Sequence, residues 1–171
     1  MKIQNPSHQS GVTMIEILVA IVVFAIGLAG TSMMVLNNVR TTASASTRTE
    51  AVILADQLVE SMRANMVAYE TGAFAATPVA TTSNCTGATC DAATIASYDA
   101  TAWTTRIANL LPAGQAFICV DSSPDDGTPA ALACDGAGTN VIKIFWNNSR
   151  FTKEKQAGTT DWRRLVVPVV P

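Results

Sequence analysis

Histidine, charge and aromatic side chains are all scarce in this chain of 171 residues. The single histidine, His8, lies in a polar N-terminal prefix far from every cysteine. No nucleophile–base pair, phosphate-cradling glycine loop or metal-binding cluster can be assembled from the sequence, so it does not read as an enzyme and no cofactor is expected. Asp, Glu, Lys and Arg make up only 14% of the chain, against about 25% in ordinary soluble proteins. Formal net charge is −2 and the seven arginines are spread along the chain, which excludes the basic footprint of a nucleic-acid binder. No proline lies between Val12 and Ala76, and residues 37–70 also lack glycine. The usual helix breakers are therefore missing from a long stretch. The length suits one modest domain plus an N-terminal appendage.

The shortage of charge is concentrated near the start. After Gly11 the chain reads Val12-Thr13-Met14-Ile15-Glu16 and then stays almost wholly apolar to Leu36. From Ile17 to Gly30 no side chain is charged or able to hydrogen-bond. About twenty residues at 1.5 Å each cover some 30 Å, the thickness of a bilayer core. Within lipid only a helix satisfies a lone segment's backbone, so residues 13–36 are predicted helical. Glu16 is the anomaly. A carboxylate at the bilayer centre costs about 2.5–3.5 kcal/mol on insertion scales, and less near an end. Its placement makes sense if it sits near an interface and meets a positive partner on assembly. Gly27 and Gly30 either let another helix approach closely or are ordinary glycines of a membrane helix.

Helical periodicity continues past Leu36. Val52, Ala55, Leu58, Val59, Met62 and Met66 recur at helical spacing, opposite Arg40, Arg48, Glu50, Asp56, Glu60 and Arg63. One continuous helix from about 13 to 70 is expected, ended by Gly72 and Pro78. Residues 71–98 read as an Ala/Thr-rich loop. A short helix carrying Trp103, Ile107, Leu110 and Leu111 on one face follows, capped by Asp99 or Thr101 and ended by Pro112-Ala113-Gly114. Strands are expected at Phe117–Val120, Val141–Trp146 and Leu165–Val170, with Lys143 facing water and Pro168 confining the last to an edge or terminus. The three tryptophans, Trp103, Trp146 and Trp162, read as core residues rather than as an adhesive surface. The fold class is α+β, a long N-terminal helix on a small antiparallel sheet.

Cys85, Cys90, Cys119 and Cys134 all lie downstream of the apolar run, in turn-rich surroundings. An even count in such loops points to disulfides and an oxidising compartment. Three connectivities are possible. Pairing neighbours, Cys85 with Cys90 and Cys119 with Cys134, is preferred because each pair brackets a turn-rich loop. The spacing is irregular and no histidine accompanies it, which argues against zinc. Asp121, Asp125 and Asp126 before Gly127 admit either a calcium site or a solvated turn.

The segment SGVTMIEILVAIVVFAIGLAG resembles the type IV prepilin signature, with Gly11 before the cleavage site and Glu16 fifth in the mature chain. Val12 stands where members more often have Phe. The resemblance implies that a prepilin peptidase cuts after Gly11 and N-methylates Val12, and that Glu16 serves assembly. It divides the chain into a leader (1–11), a membrane and assembly helix (12–36), its amphipathic continuation (37–70) and a periplasmic globular domain (71–171), with the lollipop shape of pilins. Counting Lys2 against Arg40 and Arg48 would put the C-terminal part in the cytoplasm. The cysteines and the resemblance put it outside.

LADQLVESMRAN (Leu54–Asn65), LLPAG (Leu110–Gly114), ICVDSSPDDGTPAALACDG and VIKIFWNN are similar to the PilV group of type IV pilus modification proteins, which are minor pilins. That resemblance implies a structural subunit of a pilus or its tip and priming complex, supporting pilus assembly, adhesion and twitching motility. Its partners would be other major and minor pilins, bound through the N-terminal helix. It would be stored in the inner membrane with its C-terminal domain in the periplasm, then exported in the extracellular pilus. A minor pseudopilin of a type II secretion system shares leader, helix and domain. A single-span periplasmic receptor is the reading from another class.

Overall fold

The computed structural model describes residues 11–74, 85–87, 89–149 and 161–170. The elements are helices α1 (Met14–Ala64), α2 (Met66–Glu70) and α3 (Ala92–Leu110), then strands β1 (Gln115–Asp121), β2 (Thr139–Asn147) and β3 (Trp162–Pro168). The class is the expected α+β. Internal contacts divide the chain into two compact units, Met1–Arg40 and Thr41–Pro171.

Within the second unit, the later part of α1 buries Ala51, Leu54, Ala55, Leu58 and Met62. This stripe recurs every three or four residues, as one helix face must. It packs with Trp103 and Ile107 of α3 and with Ile142, Ile144 and Trp146 of β2. Each large member contributes about 1.5–3 kcal/mol on burial. The Trp103 indole N–H donates to the Leu54 carbonyl at 2.7 Å, so the largest side chain on α3 is fixed in angle as well as depth. Val52 and Met66, predicted on the buried face, are 38% and 36% exposed. The true stripe is rotated toward Ala51 and Leu54.

The helix does not run unbroken to residue 70. At Asn65 the backbone leaves helical geometry (φ −129°, ψ 64°). The Asn65 side chain accepts from the Ala68 amide and donates to the Ala92 carbonyl at 2.8 Å. An Asn side chain that competes for backbone groups favours such a break. Gly72, at φ +72°, closes α2 through its amide to Tyr69 O.

Helix α3 begins earlier than predicted. Its cap is Asp91, whose carboxylate accepts from the Thr94 amide at 2.7 Å, not Asp99 or Thr101. Thr94, Ser97 and Tyr98 lower the helix propensity of its otherwise Ala-rich start, which read as loop. Burial of Ala96 and Ala100 in line with Trp103 and Ile107 overrides that preference. Leu111 is buried but Leu110 is 55% exposed. The first part of the expected 71–98 loop, residues 75–84, falls outside the described residues.

The sheet is an antiparallel meander, β1-β2-β3, with β2 central. β1 and β2 cover the predicted strands and extend further, whereas β3 starts three residues before the predicted Leu165 and ends at Pro168, two residues short of the predicted Val170; it is an edge strand as expected. Along β2 residues 141–146 are all buried. Ile142, Ile144 and Trp146 face the helices, so alternation puts Val141, Lys143 and Phe145 on the other face. That face is covered by the β1–β2 connection, and the expectation that Lys143 faces water is overturned: the side chain is fully buried.

Candidate functional site

The first unit offers a helical surface that, among the described residues, nothing covers. Every residue from Met14 to Leu36 is exposed within the chain, including Phe24 and Ile26 at 68% each. Glu16 is the last charge before Arg40. The uncharged interval spans roughly 35 Å of helix, enough for a bilayer core. Its few polar groups are satisfied locally, since the hydroxyls of Thr31 and Ser32 donate to Leu28 O at 3.0 and 2.8 Å. Such bonding within the helix is what lipid demands of hydroxyls. By length and composition α1 can cross a membrane.

Gly11 and Val12 precede the helix and are exposed, with no atom within 4 Å of where a Gly11 Cβ would stand. The Glu16 amide donates to Thr13 O at 3.1 Å, placing the carboxylate in the first turn. A helix N-terminus stabilises a carboxylate by about 0.3–1 kcal/mol at the surface. That is less than the insertion penalty at depth, so the helix alone does not settle this charge in lipid.

In the second unit, Cys85 is bonded to Cys90 and Cys119 to Cys134, with Cα separations of 5.8 and 6.2 Å. Sulfurs of Cys119 and Cys134 lie near the Asp121 carboxylate, but the disulfide removes both thiolates as metal ligands. Lys143 occupies the centre of the aspartate-rich connection. Its Nζ is paired with Asp121 and donates to Leu132 O at 2.9 Å and to the carbonyl and carboxylate of Asp126 at 3.3 Å. Of the three aspartates that suggested calcium, Asp121 and Asp126 converge on an ammonium supplied by β2. The Lys143 hydrogen bond, followed by one from the Ser123 amide, holds the Asp121 carboxyl below its ordinary value of 3.8. Asp135 is likewise lowered, first by the Ser122 hydroxyl and then by backbone amides. Arg164 adds an outer clamp, donating to Gly127 O at 2.9 Å and to Asp125 O. Sequence reading missed this assembly because a lone lysine in an alternating strand gives no sign that a loop will cover it.

Trp103 and Trp146 are core residues as expected, at 5% and 3% exposure. Trp162 is not. It is half-buried at the start of β3 and lines a cleft with Arg48, Trp146 and Arg163.

Two family models match the chain. One, described as the prokaryotic N-terminal methylation motif, covers residues 6–32, and the other, described as type IV pilin Tt1218, covers residues 33–101. No curated protein and no solved structure matches the chain significantly. The methylation motif implies processing by a prepilin peptidase and assembly with other pilins. The exposed apolar helix with its first-turn glutamate and the small antiparallel meander are the parts such a subunit requires. The two matches, which together run over residues 6–101, support a type IV prepilin-like family for the chain and with it a pilin-type structural subunit.

Proposed function

We propose that the chain is a minor pilin, cut after Gly11, methylated on Val12 and built into a type IV pilus or its priming complex through the α1 surface from Met14 to Leu36. The observation that carries this reading is the position of Glu16, in the first turn of a helix that is apolar and uncovered for the next six turns. Lipid covers that surface before assembly, and helices of neighbouring subunits replace lipid afterwards. Cleavage creates an α-ammonium at Val12. The ammonium of one subunit then approaches Glu16 of the next, and opposite charges attract strongly where water is excluded.

The two disulfides fit a C-terminal part that matures in the periplasm, and removal of residues 1–11 would follow on the cytoplasmic side. Mass spectrometry of the mature N-terminus tests processing, with N-methylvaline at Val12 expected and intact Met1 contradicting it. Glu16→Ala is expected to remain cleavable and membrane-inserted while disappearing from sheared pili. Its normal recovery in fibres would remove the charge-pairing argument. A deletion strain separates the pilus from the secretion pseudopilus: lost twitching with normal exoprotein release is expected, and the reverse would favour the pseudopilin.

A further inference from the structure

Three of the seven arginines, Arg48, Arg163 and Arg164, line one cleft of about 640 Å³ in the second unit, and among the described residues no acidic side chain lines it. The rest of its wall includes Trp146, Trp162 and Ser44. In a chain of net charge −2 this is a local reversal of sign. Ligand sites typically enclose about 300–1,000 Å³. The geometry points to a binding site for an acidic saccharide, a short chain of sugar rings bearing carboxylates.

Each component has a role set by its surroundings. Arg48 is exposed on α1, and among the described residues no hydrogen bond or ion pair engages its guanidinium. Arg163 on β3 lines the same cleft, half-exposed, and is held by Asp161 at 3.1 Å. Alternation places Arg163 on the same sheet face as its partner Trp146. A guanidinium binds a carboxylate through two parallel hydrogen bonds and keeps its charge at any relevant pH. Arg164 strengthens the positive field, but its donors are committed to Gly127 and Asp125. Trp162, half-buried and lining the cleft, offers an indole suited to the apolar C–H face of a pyranose ring. Ser44 spends its proton on Asn148 Oδ1 at 3.1 Å and so remains an acceptor for a sugar hydroxyl. Trp146 forms part of the wall, and its buried indole N–H has no acceptor among the described residues. A peptide carboxylate would use the arginines but not the flat indole, and a phosphate would leave most of the cleft empty. The inference concerns residues of the second unit alone and stands whether or not the chain enters a pilus.

The test is titration of the full chain in detergent with trigalacturonate, followed by tryptophan fluorescence and calorimetry, with maltotriose and triglutamate as comparison probes. Saturable binding of trigalacturonate is expected, with little response to the other two. Arg48→Gln removes one bidentate partner and is expected to weaken binding about tenfold, the scale of one charge-assisted contact. Arg163→Gln should act similarly and serves as the readout should the first variant lose its thermal transition. Absence of saturable binding, equal affinity for triglutamate or maltotriose, or undiminished affinity in both folded variants would each overturn the assignment.

Discussion

The Nζ of Lys143 on β2 and the carboxylate of Asp121 at the end of β1 form an ion pair in which both side chains are wholly buried. The pair closes the second sheet face by tying the β1–β2 connection to the central strand. Asp121 also accepts from the Ser123 amide at 3.0 Å, so the carboxylate is held from two sides. Breaking a buried pair from one side leaves the other charge stranded, which is worse than removing both. Lys143→Met is therefore expected to lower the melting temperature more than the double variant Lys143→Met/Asp121→Leu. All three tryptophans lie in the second unit, so fluorescence-detected melting of the full chain in detergent reports on it. A double variant less stable than Lys143→Met would show that the pair is not a coupled unit.

Acid should destabilise the second unit for a related reason. Asp91, Asp121 and Asp135 all have carboxyls held below the ordinary 3.8, led respectively by the Thr94 hydrogen bond, by Lys143 and by the Ser122 hydroxyl. A carboxyl whose folded value is depressed adds stability that is complete above its unfolded value and is lost as pH falls through the folded one. Melting temperature should thus be flat from neutral pH down to about 5 and decline increasingly below about 4. Asp91→Asn keeps a capping oxygen, since Asn and Asp cap comparably. It should match the parent near pH 7 and lose less stability on acidification. An acid decline as steep in Asp91→Asn as in the parent would exclude the cap as a contributor.

How far the sequence alone reached depended on the range of the interaction. The apolar run, Glu16 and Gly11 are read from local order, and the disulfide partners lie close along the chain. The same holds for the three strands and for Ala55, Leu58 and Met62 of the helix stripe. What escaped was decided by distant contacts. Asn65 breaks the helix partly because the Ala92 carbonyl is there to receive its side chain. The helix at Ala92 forms because Ala96 and Ala100 find a place in the core. Lys143 is buried because a loop folds over a face that would otherwise be wet. The cleft joins Arg48 to Arg163 across more than a hundred residues, and no spacing rule signals that meeting.

The two disulfides should differ in their effect on stability. Cys119–Cys134 spans 15 residues and anchors the connection that covers Lys143, whereas Cys85–Cys90 spans 5. In the chain-entropy model a loop of about fifteen residues contributes on the order of 3 kcal/mol, and shorter loops less. Loss of the longer bridge also loosens the loop that supplies Leu132 O and the Asp126 oxygens to the ammonium. Cys119→Ser/Cys134→Ser should therefore be destabilised more than Cys85→Ser/Cys90→Ser when unfolded by denaturant. Equal midpoints would mean that the covering loop holds without its staple.

Processing and charge pairing can be separated at the leader. Gly11 stands in open space before the helix, so Gly11→Val introduces no clash in the folded chain and acts only on recognition by the peptidase. The variant should retain residues 1–11 and migrate as a heavier band while still entering the membrane. It should also fail to join fibres, because without cleavage Val12 carries no free amine for Glu16 of a neighbour to meet. Glu16→Ala should fail at the same step with normal migration. The two defects thus share an outcome in sheared fibres and differ on the gel. An uncleaved Gly11→Val chain that still assembled would show that the freed Val12 amine is not the partner of Glu16.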